Sequence, residues 1–173
     1  MKKAVFILFL VFLAGKSYAQ AGDLTIGAIG GYETKYKDIL YGLNLSYSVN
    51  NPLQISLSGL MNPNILEKDD FDKKKDRKLK LYSTNLDVRF FLLNMETLAM
   101  GPSIGAQYLS VNYKDNTAIF SDYTAWGANI GWHIQVNPTD NLRINGGWRY
   151  STATEGASYN LFYLGVGYAF NLF

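Results

Sequence analysis

The chain has 173 residues with 16 basic and 14 acidic side chains, no cysteine, and an aromatic share of 15% that includes 13 tyrosines and 10 phenylalanines. Such a length suits one domain, and the lack of cysteine excludes disulfides as its source of stability. The slight basic excess belongs to the N-terminus: without residues 1–19, which hold Lys2, Lys3 and Lys16 and no acid, 13 basic and 14 acidic side chains remain, so no nucleic-acid partner is expected.

Residues 1–19 have the form of a secretory signal peptide. "MKK" is basic, Ala4 to Gly15 is apolar but short for a bilayer span, and Ser17 and Ala19 supply the small residues of a cut after Ala19, with Ala21 as the alternative. No cysteine stands near the cut, so no lipid anchor of the bacterial lipoprotein kind is expected. The mature domain is then 20–173.

From there the pattern has period two. Turn signals divide the chain into about eight strands, roughly 23–35, 39–49, 53–62, 80–93, 98–113, 122–136, 142–152 and 158–173. In "YSTNLDVRFFL" Tyr82, Thr84, Leu86, Val88, Phe90 and Leu92 oppose Ser83, Asn85, Asp87, Arg89 and Phe91. In "YTAWGANIGWHIQV" Trp126, Ala128, Ile130, Trp132, Ile134 and Val136 oppose Gly127, Asn129, Gly131, His133 and Gln135. "LRINGGWRY" sets Leu142, Ile144, Gly146, Trp148 and Tyr150 against Arg143, Asn145, Gly147 and Arg149. No segment carries a convincing helical period.

The connections alternate in character. "NNP", "NMET" and "NPTDN" are short and turn-like, whereas "NPNILEKDDFDKKKDRK", "KDNTAIFSD" and "TATEGAS" are longer and polar, and only "KYKD" on that side is tight. Long loops at one end and tight turns at the other are the asymmetry of an outer-membrane barrel, and an even strand number puts both termini at the turn end.

Alternation by itself is silent about which face meets water. The lysines decide: after the leader they sit at Lys35 and Lys37, between Lys68 and Lys80, and at Lys114, leaving the strand interiors nearly free of them. The polar face is Gly, Ser, Asn and Gln, with Glu33, Asp87, Arg89, Arg143 and Arg149 as its charges, which suits a crowded lumen. The other face is aliphatic, with aromatic residues such as Trp126, Trp132, Trp148 and Tyr150 expected at the membrane interfaces. A strand in hydrocarbon cannot leave its backbone unpaired, so the first and last must pair. The fold expected is an all-β, antiparallel up-and-down transmembrane barrel.

At this point the chain resembles the small eight-stranded outer-membrane β-barrels of the OmpA/OmpX type. The closing "GVGYAFNLF" resembles their C-terminal insertion signal, a glycine-spaced last strand with alternating aromatics: Gly165, Gly167, Tyr168, Phe170 and Phe173. Leu164, Val166, Tyr168, Phe170 and Leu172 share the lipid face, which puts Phe173 on the other, so the familiar pattern ends at Phe170. The resemblance implies residence in the outer membrane of a Gram-negative envelope, contact with its lipids and lipopolysaccharide, and insertion by the barrel-assembly machinery.

Function is less legible. The lumen charges make either a gate or a filling plug, and the plug is favoured because so small a barrel has room for side chains and little water. In the second loop Lys73, Lys74, Lys75, Arg77 and Lys78 offer a patch for lipopolysaccharide phosphates or a host surface, against the plainer reading of a solvated loop. "DDFD" lacks the glycine and spacing of a calcium loop, so no metal or cofactor is expected. His133, the one histidine, faces the lumen near a turn with no evident serine or carboxylate partner, so catalysis is not expected. The functions weighed are a non-enzymatic monomer serving envelope integrity or surface interaction, a narrow porin-like channel for ions or small solutes, a lipid-modifying enzyme, and a soluble barrel with an apolar ligand.

Overall fold

A strand with large apolar side chains on one face and small polar ones on the other holds its register, because a slip of one residue would exchange the two faces. The computed structural model describes residues 22–50, 52–68, 76–114, 122–154 and 158–172, and of residues 66–68, 76 and 77 the backbone alone. The predicted leader 1–19 lies outside the described residues.

Among the described residues there are nine strands: β1 Asp23–Glu33, β2 Asp38–Asn50, β3 Leu53–Lys68, β4 Asp76–Phe90, β5 Leu93–Asn94, β6 Leu98–Tyr113, β7 Tyr123–Val136, β8 Leu142–Ala153 and β9 Tyr159–Asn171. Every pairing is antiparallel, each long strand lies beside the next, and β9 returns to β1 from Asp23↔Asn171 to Glu33↔Leu161. The two-residue β5 continues the place of β4, since β4 pairs with β6 through Arg89 and β5 pairs with Met100 and Ala99 of the same strand. The ring therefore has eight positions and is closed, as expected. None of the described helical turns is long or apolar enough to cross a membrane; the crossing elements are strands.

Two boundaries differ from the sequence expectation. β3 runs on to Lys68 and β4 starts at Asp76, so much of the second loop is strand. The continuation passes a register shift between Asn62 and Ile65, which takes Pro63 out of the ladder at a bulge. Beyond it Ile65 and Leu79 turn inward and are fully buried, and that burial pulls the hairpin out of solvent. Polar composition around the bulge concealed both extensions.

The interior is inverted relative to a water-soluble protein over most of its height. Leu43 is 69% and Leu164 66% exposed, whereas Arg89 is 1% and Arg149 2% exposed. Near the long loops the inversion ends. There Leu40, Leu60, Leu81, Leu109, Val111 and Leu161 are buried inside the ring, and Lys78 and Lys80 face out.

Candidate functional site

The polar interior is set by cross-strand register. Asp87 of β4 lies opposite Gly105 of β6, which lies opposite Asn129 of β7. One step toward the turn end, Arg89 is followed round the sheet by Ser103, Gly131 and Arg149. Glycine at 105 is a requirement of space: a Cβ there would stand 2.6 Å from Asp87 Oδ1 and 3.0 Å from Asn129 Oδ1.

The five charges expected in the lumen are all buried, yet they form separate units rather than one network. Arg149 Nη2 donates to Asp87 Oδ2 in a fully buried ion pair. Arg143 pairs instead with Asp23, Nη2 to Oδ2 at 3.0 Å, and also donates to the Thr139 carbonyl of the neighbouring turn. Glu33 meets neither arginine; its carboxylate accepts the Lys35 and Tyr36 amides at 2.8 and 2.7 Å and so caps the Thr34–Lys37 turn, where Lys37 has φ 54°.

Among the described residues no carboxylate pairs with Arg89. Its Nη1 donates to Gln54 Oε1 at 2.9 Å and approaches His133 Nε2 at 3.4 Å, while His133 Nδ1 is 3.0 Å from the Tyr163 hydroxyl. A guanidinium can only donate, so Nε2 accepts and the ring proton sits on Nδ1, directed to Tyr163. Gly147 leaves the room for that ring, since a Cβ there would lie 2.8 Å from the Tyr163 hydroxyl. Arg149 stacks over the same ring with its guanidinium carbon 5.5 Å from the centroid. His133 is thus fully buried between Arg89 and Tyr163.

Several interior atoms find no hydrogen-bond partner among the described residues. Asn85 Oδ1, Asp87 Oδ1, Gln107 Oε1 and Asn129 Oδ1 are acceptors, and Arg89 Nε and Arg149 Nη1 are donors. Toward the loop end Tyr159 closes the polar set, its hydroxyl hydrogen-bonded to Ser83 and Gln107, and the leucine layer follows. At the turn end a cavity of about 250 Å3 opens between Asp23, Ser48, Glu96, Gln135, Asp140 and Arg143. The described residues hold no group of three His, Cys, Asp or Glu side chains placed to bind a metal ion.

On the outer wall Trp126, Trp132 and Trp148 are exposed and Tyr150 half-buried, with Trp132 directly opposite Trp148. Trp148 Nε1 donates to Asn160 Oδ1 at 2.9 Å, which satisfies an indole N–H that hydrocarbon could not. Of the second-loop patch, Lys73, Lys74 and Lys75 lie outside the described residues and Arg77 is described by its backbone alone. Lys78 and Lys80 are exposed on β4, and Lys114 stands beside Lys78, its amide donating to the Lys78 carbonyl at 3.0 Å. Below them Leu86, Ala106, Tyr108 and Trp126 line an open apolar groove, with the Tyr108 and Trp126 rings 4.8 Å apart.

Gly165, Gly167, Tyr168 and Phe170 all lie in β9 against β1, with Tyr168 and Phe170 exposed on the outer wall and their centroids 4.9 Å apart; Phe173 lies outside the described residues. Sequence reasoning missed Asp23, Gln54 and Tyr163 as partners of the charges. The available signal was parity: each occupies the inward face of its strand.

The family model for the outer membrane protein beta-barrel domain matches residues 7–170. Among solved structures, the N-terminal barrel domain of Pseudomonas aeruginosa OprF is similar with a TM-score of 0.68 at 19% identity, over 86% of this chain and 98% of that one. OprG of the same organism gives 0.60 at 13% identity, over 88% and 97%. Ail, the attachment invasion locus protein of Yersinia pestis, gives 0.55 at 19% identity, over 87% and 100%. At these identities the likeness is one of fold. No curated protein matches the chain.

Proposed function

The chain belongs to the outer membrane protein beta-barrel domain family and resides in the bacterial outer membrane, and from that membership we propose that it is a closed, non-enzymatic scaffold that meets its partners on its outer wall and at its extracellular ends. With the long loops extracellular, the observation that carries the reading is the leucine layer. Leu40, Leu60, Leu81, Leu109 and Leu161 are buried inside the ring on the extracellular side, and the buried polar side chains beside them are engaged locally, Glu33 by the amides of its own turn and Asn62 by the Ile39 carbonyl. Ions crossing that layer would lose hydration with little in exchange.

The outer wall supplies the surface. Lys78, Lys80 and Lys114 form no ion pair among the described residues and stand above an apolar groove, an arrangement that suits a phosphate-bearing lipid with its headgroup on the lysines and a chain along Ala106. A structure of Ail was solved with the heparin analogue sucrose octasulfate, which supports the idea that a barrel of this shape takes polyanions. The leader 1–19, removed on export, and the monomeric state belong to the same proposal.

The test is single-channel conductance of the refolded chain in a planar bilayer beside Arg149→Ala and Leu81→Ala. Silence with confirmed insertion agrees with a scaffold. Steady steps that change in either variant would move the assignment to a narrow channel. Replacing Lys78, Lys80 and Lys114 by Gln should weaken binding to phosphate-bearing lipid vesicles without changing insertion.

A further inference from the structure

We infer that the lumen holds a binding site for one small monovalent anion of halide size, built on Arg89 and facing the periplasmic mouth. The argument begins with charge. Around mid-barrel two arginines, Arg89 and Arg149, share a single carboxylate, Asp87, and Asp87 is taken by Arg149. Arg143 and Asp23 neutralise one another. Glu33 is spent on the amides of its own turn at the far end. His133 accepts from Arg89 and is neutral. Among the described residues Arg89, 1% exposed, is therefore the one lumen arginine without a carboxylate in contact, and the third buried carboxylate, Glu33, lies at the far end.

Hydrogen bonding points to the same place. Arg89 Nε and Arg149 Nη1 are buried donors without an acceptor, while Gln54 and His133 occupy only Nη1 of Arg89. Water can serve the orphaned acceptors Asn85, Gln107 and Asn129, which carry no charge, and Asp87 Oδ1, whose carboxylate is already paired with Arg149. Water at Arg89 would satisfy its N–H and leave its charge unbalanced. An anion does both.

Access and size follow from the surroundings. Gln135, in the wall of the periplasmic cavity, is linked to Gln54 at 3.4 Å, and Gln54 holds Arg89, so two amide side chains stand between the mouth and the site. The leucine layer lies on the other side. Glu96 and Asp140 at the rim repel multiply charged anions more strongly than monovalent ones. The site does not depend on whether the lumen conducts.

Bromide is the probe. Crystals of the refolded barrel grown in sodium bromide should give an anomalous peak within hydrogen-bonding reach of Arg89 Nε, lost in Arg89→Gln and kept in Arg89→Lys. In detergent, the thermal midpoint of the wild-type chain should rise by several degrees in bromide over gluconate at equal ionic strength, and the rise should vanish in Arg89→Gln. Ordered water alone at Arg89, bromide confined to surface lysines, or equal wild-type midpoints in the two salts would each overturn the inference. If Arg89→Gln fails to fold, the wild-type peak and the wild-type salt comparison decide it.

Discussion

Two stretches of β4 show the same alternation with opposite meaning. From Lys78 to Leu81 the lysines face out and the leucines in, as in a soluble barrel; from Leu86 to Arg89 the aliphatics face out and the charges in. One strand thus passes from a water-facing wall to a lipid-facing wall without a break in its ladder to β6. Inward and outward are geometric; apolar and polar are set by the solvent outside at each height.

That comparison can be broken most severely at the seam that creates an inside. Deleting Tyr168–Phe173 removes the partners of Asp23, Leu24, Thr25 and Ile26, and the truncated chain is expected to give no heat-modifiable, membrane-inserted species on gels. Normal insertion would show that closure does not need the end of β9.

Within the lipid-facing part, Asp87→Ala strands Arg149 beside an already unpaired Arg89, and should lower the unfolding free energy by about 3 to 5 kcal/mol in a urea titration. The double replacement Asp87→Leu with Arg149→Met should recover most of it, because a packed apolar pair needs no partner. Equal losses in the single and double variants would show that the pair acts through something other than charge.

The extracellular part is sharpened by Leu81→Ala. A cavity among closely packed leucines should cost about 2 to 5 kcal/mol, against a near-neutral effect if that layer were loosely filled. On the outer wall the contrast is between two heights. Leu43→Arg places a charge against lipid and should cost about 2 to 4 kcal/mol. Lys80→Gln, at the level where the wall already carries charge, should stay within about 0.5 kcal/mol by the same titration. A similar cost at both positions would mean that the membrane boundary lies elsewhere on β4.

How much of this was legible before the fold depended on the range of the interaction. Alternation, turn chemistry and the scarcity of lysine in the strands are local, and they led to a closed barrel with Glu33, Asp87, Arg89, Arg143 and Arg149 inside. The boundaries at Lys68 and Asp76 were misjudged because the burial of Ile65 and Leu79 depends on strands across the ring. The leucine layer was missed for the same reason: each of its members looks like an ordinary alternating residue until eight strands bring them to one level.

By itself the sequence determined which side chains share a face, that the chain closes on its last strand, and which membrane it suits, since these follow from period two and from composition. Only the tertiary structure decided that Asp87 takes Arg149, that Arg143 takes Asp23, and that Arg89 is left with Gln54 and His133. Those partners stand 35 to 120 residues apart in the chain, and their meeting is fixed by cross-strand register and by the space at Gly105 and Gly147, neither of which any single strand records.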